Sequence, residues 1–561
     1  MRLDNPLPPT TYLFYDLETS GLSPAFDQIL QFAAVRLDQN FEELERHNIR
    51  VQLSEDTIPS PQALVVNRTS VAMFHEGVSE YDAIQKIYDL MNTPGTISVG
   101  YNSLSFDDEF LRFSFFKHLL PPYRHQYANH CARMDIFPIV LLAFQIRRDL
   151  LEWPIKDGKH SFKLEYLARA NNCNTGASHD ALIDVLDTIA LAKLLRQDAL
   201  FWEEATTFFN KKKDKEIFEN NASTFTIGTA THSLSILLEK QPNMPPIPAL
   251  CLGTHKHYEN QTRWLRLDEN DFAALPANTL GKQVKSLRKK WGEPPFLFSN
   301  HDARLLGQLS PHQIERVEAN LRFLQENSAL FSALKEEKLN EAYPDNRHYD
   351  ANAALYKLQF AKKNEEEEKK REQVTEHLCR SFHLLDNSRK HEVVRKLASV
   401  NPIYQTLAIR IMGRYMPSRL SPEDRLTYQM YLAHVFYNST DSLILDHRDQ
   451  AKLSLPEAMS ATEKLLLAAK TPEEQQFLTE LKMWYFSRVN QYKMPVMTHG
   501  EMGTQTETDC DENASRKRPR DEAVNPAHYD ASLFSTAAPN IAMVTRETSL
   551  QQPDVKHAMA P

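Results

Sequence analysis

An α/β domain at the N-terminus, followed by a mixed α+β domain and a mainly helical C-terminal domain, is the fold class this sequence predicts. Three observations predict it. Strand-like and helix-like segments alternate from Leu13 to about Arg196, the pattern of a sheet covered by helices. Short strand-like runs, Ala249–Leu252 and Trp264–Leu267, lie in a mixed segment that extends from Ser223 to about Glu337. Helix starts of one type, a hydroxyl followed by proline, recur at Ser310-Pro311, Ser421-Pro422 and Thr471-Pro472. The 561 residues suit three or so domains at roughly 150 each.

Taken in order, the apolar run from Tyr12 to Leu17 reads as a strand, Ile29–Leu37 as a second, and Phe41 onward as its hairpin partner. Ser79–Met91 has Ile84, Ile87 and Met91 at helical spacing, with Pro94-Gly95 ending it. Thr96–Tyr101 is another buried strand. From Phe106 to Tyr127 aromatics interleave with Arg112, Lys117 and Arg124; Phe106, Phe110 and Phe113 are expected on the core face of a helix. Pro121-Pro122 breaks that helix and leaves Tyr123 and Tyr127 on a loop, suited to stacking. His179 stands just before a long helix that carries Asp184, with Leu182, Val185, Leu186, Ile189 and Ala190 toward the core.

A polar, basic stretch from Ala199 to Asn221 marks a boundary, so the domains are expected at 1–198, 199–349 and 350–493. Lys282–Lys290 reads either as a solvated helix face or as a phosphate-contacting patch. Ser310 with Gln313 and Thr471 with Glu474 have capping-box spacing, and Ile314, Val317, Leu321 and Leu324 form an apolar stripe behind the first. The charged run Lys362–Glu372 reads as an exposed helix or connector. Residues 494–561 read as a disordered tail, with the basic cluster Arg516–Arg520 a solvated group rather than an import signal.

Composition narrows the function classes. With 42% hydrophobic and 25% charged residues the chain is of the soluble globular type. A net charge of −9 argues against binding nucleic acid through bulk positive charge and leaves a local basic groove open. Cys131, Cys173, Cys251, Cys379 and Cys510 are scattered, form no metal-spaced pair, and suggest inert thiols in a reducing compartment. The longest apolar run, Ile136–Phe144, is too short for a bilayer, and Arg2, Asp4 and prolines occupy the place of a signal core. A cytoplasmic monomer with no membrane partner is expected.

The chemistry centres on Asp16 and Glu18, which project from one face of the first strand. Two like charges on a core strand repel, and a hard divalent cation would relieve them; the alternative is a strand end whose acids point into solvent. Asn102-x-x-x-Phe106-Asp107 and His179-x-x-x-x-Asp184 follow in order. Four carboxylates and one histidine are what a two-metal phosphodiesterase needs: metal to acidify water and stabilise the leaving oxygen, and a histidine to take the proton.

This ordered set resembles the DEDDh branch of the 3′-to-5′ exonucleases. Within it, Gln31–Arg36, Gly100-Tyr101-Asn102, Trp153-Pro154, Ser161–Glu165 and His179-Asp180-Ala181 are similar to the bacterial exodeoxyribonuclease I family. Asp350-Ala351 with Leu355-Tyr356 and Gly413–Pro417 extend the likeness into the helical part. The resemblance implies a ribonuclease H-like exonuclease domain, an SH3-like middle domain and a helical domain, acting on single-stranded DNA in repair and recombination. It implies two Mg2+ ions, with Mn2+ able to substitute, Asp16 bridging both, Glu18 and Asp184 completing one site, Asp107 holding the other, and His179 as general base. Arg112, Tyr123 and Tyr127 fall where the family contacts the strand, and Glu18 and Lys163 near the terminal nucleotide. Lys163 and Leu141 stand where the family has arginines. Single-stranded DNA-binding protein is the implied partner. A ribonuclease of the same branch, usually a single compact domain, and a binding module with an idle site are the competing readings.

Overall fold

The computed structural model describes residues 8–341, 365–436, 444–446 and 450–491, except 175, 177–179, 222, 242 and 278. His179, Asp350–Tyr356, Cys510 and the sequence after Gln491 lie outside the described residues. The chain divides into two units, and everything below concerns the larger, Met1–Ser439 with Leu443–Met494.

Five strands build the first sheet: β1 (Thr11–Thr19), β2 (Ile29–Leu37), β3 (Glu43–Arg50), β4 (Thr96–Gly100) and β5 (Ala132–Asp135). Their order is β3-β2-β1-β4-β5, with β1 central. The hairpins β1–β2 and β2–β3 are antiparallel, whereas β4 and β5 add in parallel. That mixed order is the ribonuclease H-like arrangement. Every residue of β2 is buried because both sheet faces are covered. Period-2 alternation then sorts β1: Phe14 packs into one core with Val35 and Val99, while Leu13, Tyr15 and Leu17 pack into another with Phe32 and Ala34.

Helices cover those faces: α1 (Pro61–Val66), α2 (Glu80–Met91), α3 (Asp107–Lys117), α4 (Ile136–Ile146), α5 (Leu164–Ala170) and α6 (Ala181–Arg196), with a small ribbon of β6 (Ile155–Lys156) and β7 (Lys159–His160) between α4 and α5. Phe110 and Phe113 are fully buried on α3 as expected. The apolar run Ile136–Phe144 is buried throughout on α4. Among the described residues no helix is long and apolar enough to cross a membrane.

After α7 (Ala199–Thr207) and α8 (Lys211–Asn221), six strands form a second sheet: β8 (Ser223–Ile227), β9 (Ala230–Leu238), β10 (Ile247–His255), β11 (Tyr258–Arg266), β12 (Ser286–Lys290) and β13 (Phe296–Ser299). One face takes α11 (Pro311–Glu326) and α12 (Ser328–Asn340), which follow the single turns α9 (Leu280–Gln283) and α10 (Ala303–Leu306). Ile236, Leu238, Phe296 and Phe298 join the exonuclease-side core instead, together with Phe201 and Trp202 of α7. The polar stretch read as a boundary is therefore a pair of helices, and Phe201 and Trp202 of the first share a core with residues of both sheets.

The helical part comprises α13 (Glu365–Leu384), α14 (Lys390–Val400), α15 (Pro402–Tyr415), α16 (Pro422–Phe436), α17 (Leu455–Ala468) and α18 (Pro472–Gln491). Leu378, Phe382, Ile411 and Tyr485 share one core with Leu30, Leu64, Phe74 and Phe116 of the first domain.

Two expectations are corrected. Lys282–Lys290 is not a helix face: it is a helical turn followed by strand β12, with Lys282, Lys285 and Arg288 exposed. Alternation turns Lys289 inward, fully buried, with its Nζ 2.5 Å from Asp214 of α8 and donating to the Glu293 carbonyl at 2.6 Å. The box at Thr471 is only half formed, because the Glu474 carboxylate accepts from Lys470 N rather than from Thr471 N. The box at Ser310 is complete. A further complete box at Ser454–Glu457 went unread, since its proline sits one position later. Each such cap stabilises its helix by about 1 kcal/mol.

Candidate active site

Central strand β1 delivers Asp16 and Glu18, both half-buried, to the face covered by α6. A bulge between Glu18 and Thr19 shifts the register against β2, which re-aims the strand end just where the acids stand. Asp180 caps α6, its side chain accepting from Leu182 N at 2.9 Å, and this sets Asp184 in the first turn. One carboxylate oxygen each from Asp16, Glu18 and Asp184 lie within 4.8 Å of one another.

Asp107 begins α3 and is buried beside this trio. Burial raises the Asp16 carboxyl well above its ordinary range, and Asp107, Asp184 and Glu18 add to the effect in that order. Glu18 is pushed up to about 7 by burial, Asp184 and Asp180, with a hydrogen bond from Asn67 opposing. Asp107 is pushed up to about 8, again chiefly by burial, with Asp135, Asp108 and Glu18 contributing. A buried set of oxygen donors whose members each disfavour the others' charge fits a hard divalent cation.

The loop before Asp107 is held by a residue the sequence reading passed over. Asp135, at the end of β5, accepts from Asn102 N (2.7 Å), Leu104 N (3.2 Å) and Phe137 N (3.0 Å). It thus caps α4 and pins the turn in which Asn102 adopts a left-handed φ of 61°. Burial pushes its carboxyl up to about 6 against those three donors. The available signal was an acid placed directly before the apolar run of α4. Gly100 is needed in the same turn, because a Cβ there would come within 2.5 Å of the Ser103 side chain.

Farther along, Arg112 is buried and turned toward Glu109 and Tyr123, donating to the Tyr123 hydroxyl at 3.3 Å with its guanidinium 5.0 Å from the ring centre. Tyr123 is half-buried, whereas Tyr127 is 66% exposed on the loop after Pro121-Pro122. Lys163 is exposed at the N-cap of α5. Leu141 is a core residue of α4. His179 falls outside the described residues, immediately before the cap of α6. The structure therefore brings Asp16, Glu18 and Asp184 together with Asp107 adjacent, and sets Arg112 to brace Tyr123.

The exonuclease family profile matches residues 13–192. Exodeoxyribonuclease I of Escherichia coli strain K12 is 35% identical over 209 residues, which are 36% of this chain and 44% of that protein. Exodeoxyribonuclease I of Haemophilus influenzae is 33% identical over 212 residues, 37% of this chain and 44% of that protein. These alignments span under half the length of the curated relatives. The crystal structure of E. coli Exonuclease I in complex with a dT13 oligonucleotide superposes with a TM-score of 0.68 at 22% identity, covering 86% of this chain and 100% of the other. A structure of SSB/Exonuclease I in complex with an inhibitor gives 0.67 at 20%, with the same coverage. At these identities the likeness is one of fold, and it extends through all three parts of the chain.

Proposed function

We propose, from the match of residues 13–192 to the exonuclease family profile, that this chain hydrolyses single-stranded DNA from the 3′ end to 5′-mononucleotides. The observation that carries the reading is the convergence of Asp16, Glu18 and Asp184 within 4.8 Å, with Asp107 beside them. Glu18 and Asp184 would hold one divalent ion, Asp107 the other, and Asp16 both. Mg2+ ions bound there would acidify the attacking water and stabilise the departing 3′ oxygen.

The chain's own residues do the rest. His179, preceding the cap of α6, takes the proton of the water, the exchange for which an imidazole is suited. Lys163, exposed at the start of α5, offers a point charge to a phosphate, without the two-pronged grip of an arginine. Tyr127 and Tyr123 supply ring faces on which bases of any sequence stack. Fold likeness to a DNA-bound exonuclease through the β-rich and helical parts supports single-stranded DNA over RNA, and likeness to an Exonuclease I structure described as suggesting how processivity is achieved supports processive digestion. Likeness to an enzyme solved with SSB supports single-stranded DNA-binding protein as partner, in cytoplasmic DNA repair and recombination.

The test is purified protein incubated with 5′-labelled single-stranded DNA, the matched duplex and RNA, each with Mg2+ and with EDTA. Mg2+-dependent shortening of the single strand from its 3′ end is expected, and Asp16→Asn should abolish it. Loss of RNA alone would move the protein to the ribonuclease branch, and binding without cleavage would leave a scaffold.

A further inference from the structure

Asp107 and Asp108 are neighbours in the first turn of α3, both buried, yet their surroundings are opposite. Asp107 faces other acids; Asp108 is ringed by donors. One Asp108 oxygen meets Nε2 of His125 at 3.2 Å, and the other accepts from Nε2 of Gln126 at 3.2 Å and from the Arg133 guanidinium. His125 and Gln126 form the turn that separates Tyr123 from Tyr127. Arg133, on β5, uses its second nitrogen for Glu293, in the loop between β12 and β13. Glu293 also pairs with Lys290, and its carbonyl takes the buried Lys289 that is paired with Asp214.

We propose that Asp108 is a positioning residue that couples the grip on the single strand to the cleavage site. Its carboxylate fixes the turn bearing both tyrosines to the helix that begins at Asp107, and through Arg133 it makes Glu293 of the β-rich domain part of the same grip. The inference rests on the reading of this chain as a single-strand exonuclease. Packing alone would not call for this arrangement: well-packed apolar side chains of similar volume fill such a site at no loss of stability. What a charged hub adds is a fixed geometry among four elements, the catalytic helix, the tyrosine turn, β5 and the β12–β13 loop.

The experiment compares wild type, Asp108→Asn and Glu293→Gln on a long single-stranded oligonucleotide and on a dinucleotide too short to reach the tyrosines. Both variants should raise KM for the oligonucleotide, Asp108→Asn by about tenfold and Glu293→Gln by about threefold, since the loss is that of ordered base stacking. Turnover of the dinucleotide should stay within about twofold of wild type. Equal loss on both substrates would place Asp108 in the cleavage site itself and overturn the proposal, as would no change on either. A wild-type KM in Glu293→Gln would remove the β-rich domain from the grip. Should Asp108→Asn fail to fold, Glu293→Gln decides by the same measure. A wild-type protein inert on DNA would instead sink the exonuclease reading, a separate outcome.

Discussion

Two sets of buried carboxylates divide this molecule. At the junction of β1, α3 and α6, Asp16, Glu18 and Asp107 are held above their ordinary range by burial and by one another. Between the first domain and the helical part, Asp56 is more deeply buried still but falls well below that range: burial opposes its charge, and Arg414, Lys452 and Tyr431 outweigh it. Arg414 Nη2 sits 2.5 Å and the Tyr431 hydroxyl 2.7 Å from the same Asp56 oxygen. Burial is common to both sets, so burial does not distinguish them. Whether the protein supplies its own counter-charge does, and only the set left uncompensated has a reason to recruit a cation.

The largest expected effect separates the two sets by sign. Asp16→Asn should cost about 10³-fold or more in turnover, the several kcal/mol that a metal site contributes. It should also raise the melting temperature of metal-free protein, because one repelling charge is gone, and it should cancel the rise that Mg2+ produces in wild type. A metal-free variant less stable than wild type would mean that the trio is held by partners after all.

The paired set should behave in the opposite way. Arg414→Met leaves Asp56 buried without its main counter-charge and should destabilise the fold by about 3–5 kcal/mol in urea unfolding. An unchanged midpoint would show that Lys452 and Tyr431 suffice.

Acid sharpens the comparison at the same interface. His118 is fully buried, its Nδ1–H donating to Ser114 O at 2.8 Å, and Glu80 stands 3.9 Å from its Nε2. Burial, with Arg414 and Lys117 adding and Glu80 opposing, pushes its pKa down to about 4. The unfolded chain therefore binds the extra proton first, and stability must fall as pH drops from about 6.5 to 4, by up to about 3 kcal/mol from this residue. Unfolding free energies measured across that window should fall more steeply, or rise less, toward acid in wild type than in His118→Gln, the difference between the two being this residue's own contribution.

The smallest effect concerns the exposed surface. Tyr127→Ala should weaken single-strand affinity by about 1 kcal/mol and leave thermal stability unchanged, because the residue is 66% exposed. A binding titration and a melt together check it; a drop in stability with unaltered affinity would return Tyr127 to the fold.

Much of the first domain was legible because local rules dictate it. Alternation placed β1, β2 and β4 within a residue or two of their observed ends, and Asp16 and Glu18 on one face. The helix starts at Ser310 and Ser421 followed from hydroxyl and proline chemistry. What local rules left unseen shares one cause, partners far away in sequence. Lys289 looked like one charge in a basic run until Asp214, 75 positions earlier, proved to be its mate. Polarity at Ala199–Asn221 marked a boundary and did not show that Phe201 and Trp202 would share a core with a second sheet.

The sequence by itself determined which residue types were present, on which strand face or helix turn each would lie, and hence that four acids were available for one kind of chemistry. Only the tertiary structure decided which of those acids would stand uncompensated. Asp107 and Asp108 are identical side chains one residue apart; Arg133, His125 and Gln126 converge on the second and other acids on the first. Charge balance in a low-dielectric interior depends on distance in space, and distance in space is what the chain's order alone does not contain.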